Sequence, residues 1–310
     1  MSRPDHPPSA LDEADLLDIS AQHAHAVAVA LPSTSRFMLR DRVTPVQRAF
    51  LHHFGFLLFD RVLQALEVER FLAEIDRIQA HLLQTQQKWI FGVPIWFGQD
   101  PDGQPYVQRL AFANVFSADI EALIQDDRFE PVRQLIGADA RIGYREKDGV
   151  VVNRYLNHPG SLRGGAAWHT DGLRDLFYNA RMPDPQLNVG LHLSRIRPST
   201  DGGLRILPGT HQQGVRNMLF GKATWLDNRP DAREVAIETW PGDLTVHDGR
   251  AWHRVQPSSR QGWESQRVSV YVPYLTDEYQ PKGPSTRPMM YMRLFHAVMQ
   301  AKRLLNQLRA

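Results

Sequence analysis

A histidine and a carboxylate stand two residues apart in Trp168-His169-Thr170-Asp171, and a further histidine, His253, lies far downstream in PGDLTVHDGRAWHRV. Beyond it, Arg267 opens the run RVSVYVPY. A His-x-Asp triplet alone carries little weight in a chain with 13 histidines, since composition supplies one by chance. Its setting carries more. The triplet closes the Gly-rich segment GSLRGGAAWHTD, and His253 sits beyond a strand opened by Gly242-Asp243. Two histidines and one carboxylate on neighbouring strands can occupy one face of an octahedral Fe(II) and leave the opposite positions open. Oxygen chemistry needs those positions, because a bidentate co-substrate and O2 must both bind. An arginine inside the same fold can pair through two parallel hydrogen bonds with the far carboxylate of a dicarboxylate such as 2-oxoglutarate. The same donor set also suits zinc with a bound water as nucleophile, the basis of a hydrolase. A third reading keeps pocket and metal in a module that binds 2-oxoglutarate without catalysis.

Such residues must sit on elements that aim them at one point. From about residue 140 the chain reads as short strands separated by Gly, Pro and Asp turns, at 149–157, 187–195, 203–208, 234–240, 243–247 and 266–274. Three of them alternate with period two, which fixes their faces. Asn153, Tyr155 and Asn157 oppose Val150, Val152 and Leu156; Asn188, His192 and Ser194 oppose Leu187, Val189, Leu191 and Leu193; Arg267, Ser269 and Tyr271 oppose Val268, Val270 and Val272. A polar face is either solvated or lines a cavity. Asn, Tyr, His and Arg in place of Lys and Glu favour the cavity. Many short strands with such turns predict a sandwich or jelly roll. Ahead of them, Thr44 and Pro45 read as cap and first residue of a helix over VQRAFLHHF, GFLLFD as a buried strand, and Val62–Leu83 as an amphipathic helix. Residues 1–40, with PDHPPS and LPSTS, read as a loosely ordered lead, 88–118 resists assignment, and 289–309 reads as a C-terminal helix.

Composition narrows the field. Lys and Arg total 36 against 34 Asp and Glu, a net charge of +2, too balanced for affinity built on phosphate neutralisation, so no nucleic-acid partner is expected. With 42% hydrophobic and 23% charged residues the chain is ordinary for a soluble globular protein. The absence of cysteine excludes disulfides, thiolate nucleophiles and Fe–S clusters, and leaves any metal to His, Asp or Glu. No apolar run is long enough to span a bilayer, and the Pro-rich, then acidic opening lacks the order of a signal peptide, so a cytoplasmic protein is the default.

With HTD, the distal AWH after PGD, the arginine on the last core strand and GGLRILPGTH (202–211), the sequence resembles the phytanoyl-CoA dioxygenase family, Fe(II)- and 2-oxoglutarate-dependent oxygenases. The opening TPVQRAFLHHFGFLLFDRVL is similar to that family's helix, Gly-Phe strand and helix, and the resemblance covers roughly residues 44–275. It implies a mainly β fold with flanking helices, a double-stranded β-helix or cupin-like jelly roll, in one oxygenase domain over 41–310 with its core at about 145–275. It implies iron ligands His169, Asp171 and His253, with Arg267 binding 2-oxoglutarate and Asn157 and Asn188 falling where members place polar contacts to that co-substrate. O2 completes the reaction, most commonly hydroxylation of an unactivated C–H of a small molecule with release of succinate and CO2. Related halogenases carry a small residue in place of this carboxylate, so Asp171 disfavours halogenation.

Rivals and bystanders remain. His247 competes with His253, and the family's order favours His253; Arg260 competes with Arg267 but lies in the turn QPSSRQG. His211 reads as closing a turn, His192 as structural or pocket-lining, and His52-His53 and His23-x-His25 as structural. Arg163, Arg174 and Arg181, with Phe177 and Tyr178, either recognise an anionic substrate or are surface arginines. Trp168 and Trp252 read as packing that locks the ligand strands. Trp89, Phe91, Trp96, Phe97 and Tyr106 either shape the substrate pocket or belong to the core. The last stretch carries Lys282, Arg287, Arg293, Lys302, Arg303 and Arg309 with four methionines and no acid. It is suited to a membrane surface, an active-site cap, a dimer contact or a simple docked helix.

Overall fold

The computed structural model describes residues 18–288 apart from 162, 174, 177–180 and 225. The first 17 residues of the expected lead, Arg174, Phe177, Tyr178 and the expected C-terminal helix lie outside the described residues.

Helix α1 (Ala21–Ala30) occupies a quarter of the segment read as a loose lead. Its alanine content gives it the strongest intrinsic helix propensity, and the Ser20 hydroxyl accepts from the His23 amide to cap it. Ala24 and Ala28 are buried against α2 (Pro45–Phe54), where small side chains allow close approach. Helix α2 starts where the sequence predicts. The Thr44 hydroxyl accepts from the Gln47 amide, and the Gln47 side chain accepts from the Thr44 amide. It stops at Gly55, whose φ of 84° is left-handed and whose missing Cβ makes room for the His211 ring. Helix α3 (Ala65–Thr85) buries Val68, Phe71, Ile75, Ile78 and Leu82 along one face.

The strands, in chain order, are β1 (Phe56–Phe59), β2 (Trp89–Ile90), β3 (Val93–Pro94), β4 (Trp96–Gln99), β5 (Pro105–Leu110), β6 (Arg141–Ile142), β7 (Val151–Tyr155), β8 (Ala166–His169), β9 (Gln186–His192), β10 (Gly203–Ile206), β11 (Val235–Ala236), β12 (Leu244–Asp248), β13 (His253–Gln256) and β14 (Arg267–Leu275). A major sheet runs β1-β12-β9-β14-β7-β5-β4 with β6 beside β14, and a minor sheet runs β11-β10-β13-β8. Neighbours far apart in sequence mark the jelly-roll crossovers, and neither sheet closes into a barrel. The sheet system reaches beyond the core expected at 145–275, because β1 pairs with β12 and the β4–β5 hairpin extends the sheet past β7. The aromatics of 88–118 serve this hairpin. Trp96 and Tyr106 are buried, Phe91 and Phe97 pack on the core, and Arg154 lies 4.2 Å from the Tyr106 ring centroid.

Register decides which side chains face inward. Tyr155 lies opposite Arg267, Ser269 opposite both Asn153 and His192, and His247 opposite Asn188. The three polar faces read from the sequence therefore share one side of the major sheet, joined by Thr245 and His247 of β12. On the other side Val152, Leu187, Val189, Leu191, Leu244, Val246, Val268, Val270 and Val272 merge into the core beneath α3.

One buried ion cluster ties the chain's start to the strand that leads into the PGD motif. The Arg36 guanidinium bonds the carboxylates of Asp60 and Asp243, donates to the Glu238 carbonyl at 3.0 Å and lies 4.8 Å from the Trp240 ring centroid. Asp243, fully buried, also accepts from the amides of Arg61 (3.0 Å) and Trp240 (2.7 Å). Removing the arginine would strand two buried carboxylates. Arg36→Met is therefore expected to cost about 3–5 kcal/mol in urea unfolding, with Arg36→Lys in between; an unchanged midpoint in Arg36→Met would show the cluster to be idle.

Candidate active site

Strands β8 and β13 run antiparallel with His169 directly opposite His253 at the end of the ladder, and a register shift between His253 and Val255 aims both imidazoles into the gap between the sheets. Their ring centroids are 4.2 Å apart. Asp171 follows β8 by one residue. Its amide donates to the Gly249 carbonyl at 2.7 Å, which turns the chain back toward the histidines. One potential ligand atom from each of His169, Asp171 and His253 lies within 4.8 Å of the others, the only such group among the described residues.

Each histidine is oriented by its own backbone. His169 Nδ1 lies 2.7 Å from the Ala167 carbonyl, and His253 Nδ1 lies 3.0 Å from the Ala251 carbonyl. With Nδ1–H donating, Nε2 presents its lone pair, the tautomer a metal ligand needs. Burial, and then the neighbouring His253, hold His169 well below the ordinary imidazole range, so it is a neutral donor. Asp171 Oδ2 accepts from the Asn188 carboxamide, and His253 Nε2 lies 3.5 Å from the same oxygen. Two imidazoles and one carboxylate are a fitting donor set for a divalent first-row metal.

His247 stands against this set without joining it. Its ring lies 4.8 Å from that of His253, and its Nε2 faces the Asn188 amide nitrogen at 3.4 Å. Burial first, then the neighbouring His253, pushes its pKa down to about 3. Because Asn188 Nδ2 is a donor, His247 Nε2 accepts, and the proton sits on Nδ1, which is buried with no partner. Asn188 thus lies at the ligand set, holding the carboxylate, and this contact joins residues that sequence reasoning had no means to pair.

Arg267 is almost fully buried, and no carboxylate pairs with it among the described residues. Its guanidinium donates to the carbonyls of Gln256 (3.0 Å) and Gly164 (2.7 Å), lies 5.1 Å from the Tyr155 ring centroid and leaves Nε unpartnered. Burial lowers its pKa to about 10. A sealed cation without a counter-ion is costly, by several kcal/mol in a typical interior, and this pocket offers an anion a ready partner. The rival Arg260 faces Asp201 at 3.4 Å instead.

Asn157 takes another place. Its amide nitrogen donates to the carbonyls of Ser258 (2.8 Å) and Arg260 (2.9 Å), so it pins the turn before β14 and is kept from the cavity by those bonds. His192 lines the inward face, bonded to Thr245 Oγ1 at 2.9 Å, with burial lowering its pKa to about 4. His211 bonds the His52 carbonyl at 2.9 Å, and Arg181 pairs with Asp184 at 3.0 Å. Trp168 and Trp252 are buried together, their indole nitrogens donating to the Arg229 carbonyl and to Gln213, each at 2.9 Å, which fixes the two ligand strands from behind.

Comparison with known proteins accords with this geometry. The sequence model of one family, Phytanoyl-CoA dioxygenase (PhyH), matches residues 51–262. No curated protein matches the chain. Among solved structures, HygX from Streptomyces hygroscopicus with nickel and 2-oxoglutarate bound is 20% identical, with a TM-score of 0.56 over 81% of this chain and 94% of its own. AviO1 from Streptomyces viridochromogenes Tue57 is 17% identical, with a TM-score of 0.55 over 79% and 99%. SnoN, the non-heme alpha ketoglutarate dependent epimerase from nogalamycin biosynthesis, is 19% identical, with a TM-score of 0.53 over 77% and 86%. No helix among the described residues is long and apolar enough to cross a membrane.

If Asn188 orients the Asp171 carboxylate, Asn188→Ala is expected to weaken divalent-metal affinity by about 10–100-fold, the usual effect of removing such a partner. Competition titration against a chelator measures this, and an unchanged affinity would show the contact to be incidental.

Proposed function

This chain belongs to the phytanoyl-CoA dioxygenase (PhyH) family, and from that premise we propose that it is an Fe(II)- and 2-oxoglutarate-dependent dioxygenase that hydroxylates an unactivated C–H bond of a small molecule. The observation that carries this reading is a converged His169, Asp171 and His253 set beside a buried Arg267 that has no carboxylate partner among the described residues and is bonded to the carbonyls of Gln256 on β13 and Gly164 just ahead of β8. His169, Asp171 and His253 would hold Fe(II), and Arg267 would take the far carboxylate of 2-oxoglutarate. When bound, iron, 2-oxoglutarate and O2 supply the oxidising power for the C–H bond, with succinate and CO2 as by-products.

The chain's own residues prepare the site. The Ala167 and Ala251 carbonyls hold each ring by Nδ1, so that Nε2 is the atom turned to a metal. Asn188 holds one oxygen of Asp171. The carbonyls of Gln256 and Gly164 and the Tyr155 ring fix the Arg267 fork before any anion arrives, which lowers the ordering cost of binding. The presence of a carboxylate at Asp171 favours hydroxylation over halogenation. HygX, described with 2-oxoglutarate, and SnoN, described from nogalamycin biosynthesis, support a small-molecule reaction of this class here.

Succinate release from 2-oxoglutarate, with product analysis of candidate substrates, tests the proposal. Wild-type protein is expected to release succinate only with Fe(II) and O2 together, and Asp171→Ala to release none. Arg267→Gln is expected to raise the 2-oxoglutarate concentration at half-maximal rate by more than about tenfold, since truncating one side of a buried charge pair costs about 2–5 kcal/mol. Activity supported by Zn(II) with 2-oxoglutarate left intact would overturn the reading in favour of hydrolysis, and an oxidised product without added hydroxyl would overturn the hydroxylase assignment.

A further inference from the structure

A second arginine shares the Tyr155 ring. Arg163 lies in the segment between β7 and β8; its Nη2 donates to the Tyr155 hydroxyl at 3.3 Å, and its Cζ lies 5.4 Å from the ring centroid. Arg267 lies 5.1 Å from the same centroid. Each has a buried Nε with no hydrogen-bond partner among the described residues, as Arg154 and Arg195 also have. No carboxylate stands within ion-pair distance of Arg163 among the described residues. Asp148, whose charge it feels, is engaged by Arg109 at 2.6 Å, and Arg109 itself repels it. The other buried arginines are different. Arg36, Arg154, Arg205 and Arg254 each have a carboxylate within ion-pair distance: Asp60 for Arg36, Asp76 at 2.9 Å for Arg154, and Glu234 at 4.0 and 2.7 Å for Arg205 and Arg254.

Arg163 is also close enough to the metal-ligand set for its charge to act on His169. Two guanidiniums therefore stand against one tyrosine ring with no carboxylate partner among the described residues. A dicarboxylate co-substrate chelates a metal through one end and has a single carboxylate left, which one arginine fork satisfies bidentately. A second cation of this kind has no counter-charge among the described residues or in the co-substrate. We infer that Arg163 binds an oxyanion, a carboxylate or phosphate, carried by the primary substrate, with Tyr155 as the spacer between the substrate anion and the co-substrate anion. The inference rests on the assignment of Arg267 to 2-oxoglutarate, and it names the substrate class: a small molecule bearing a negative group within reach of the bond to be oxidised.

The test uses the full-length protein loaded with redox-inert Ni(II), saturated with 2-oxoglutarate and titrated calorimetrically with inorganic phosphate and with benzoate. Wild type is expected to bind at least one of the two. Arg163→Gln is expected to weaken that binding by more than about tenfold, the least expected from losing a desolvated charge partner. Arg163→Lys is expected to retain most of it, and 2-oxoglutarate affinity in Arg163→Gln is expected to stay within about twofold of wild type, unlike Arg267→Gln. A loss of 2-oxoglutarate affinity in Arg163→Gln equal to that in Arg267→Gln would overturn the inference, because Arg163 would then belong to the co-substrate. Absence of binding by both anions to the saturated wild type would overturn it as well. Failure of wild type to bind 2-oxoglutarate at all would instead defeat the dioxygenase reading. The anion titrations on the Ni(II) protein alone, with and without Arg163→Gln, would then still decide whether Arg163 is an anion site.

Discussion

The site depends on one register. Strands β13 and β8 pair so that His253 faces His169 across the minor sheet, and slipping that pairing by one residue would turn one imidazole out of the gap between the sheets. The register is held from behind by Trp168 and Trp252, buried side by side and bonded through their indole nitrogens to backbone and side chain of the 213–229 stretch. The turn that returns Asp171 to the histidines leans on the same region, through the Gly249 carbonyl. A metal site made this way is rigid before it is filled, which is the condition for binding a metal with open positions.

The major sheet supplies what the metal alone lacks. Its helix-facing side is a continuous layer of Val and Leu packed beneath α3, and its inward side is polar along β7, β14, β9 and β12. The inward side is also where buried polar atoms lack partners: His247 Nδ1, His192 Nδ1, Arg267 Nε and, nearby, Arg163 Nε. An unmade hydrogen bond of this sort costs about 1–3 kcal/mol. Such groups persist because the surrounding apolar layer holds the sheets together regardless. Arg36 differs, its buried charge matched by Asp60 and Asp243, whereas Arg267 has no carboxylate partner among the described residues.

Much of this was legible in the residues. Period-two alternation in VVVNRYLN, LNVGLHLS and RVSVYVPY assigns the inward faces because side-chain direction along a strand is fixed by the pleat. Thr44-Pro45 marks the start of α2 because cap and first-turn chemistry are local. The choice of His253 over His247 was not a matter of spacing, since both are inward and buried; it followed the family's order, and the structure shows why, with only His253 opposite His169. Other features were hidden for physical reasons. Asn188 meets Asp171 through tertiary packing between two sheets, whereas Asn157, on an inward-reading strand, turns its amide to a loop it meets only in three dimensions. The hairpins of 88–118 have strands of two to six residues interrupted by Gly and Pro, and β5 finds its partner in β7, far away in sequence. Helix α1 lacks an apolar stripe, and its alanines, set between Pro-containing neighbours, carry no periodic signal.

The most direct test of the central claim is anaerobic titration of the metal-free protein with Fe(II) and then 2-oxoglutarate, following metal-to-ligand charge-transfer absorption in the visible. The account predicts a weak band that appears only when both are present, because the co-substrate must chelate the iron held by His169, Asp171 and His253 while Arg267 receives its far end. Tight binding of one metal ion with no band at any 2-oxoglutarate concentration would contradict it.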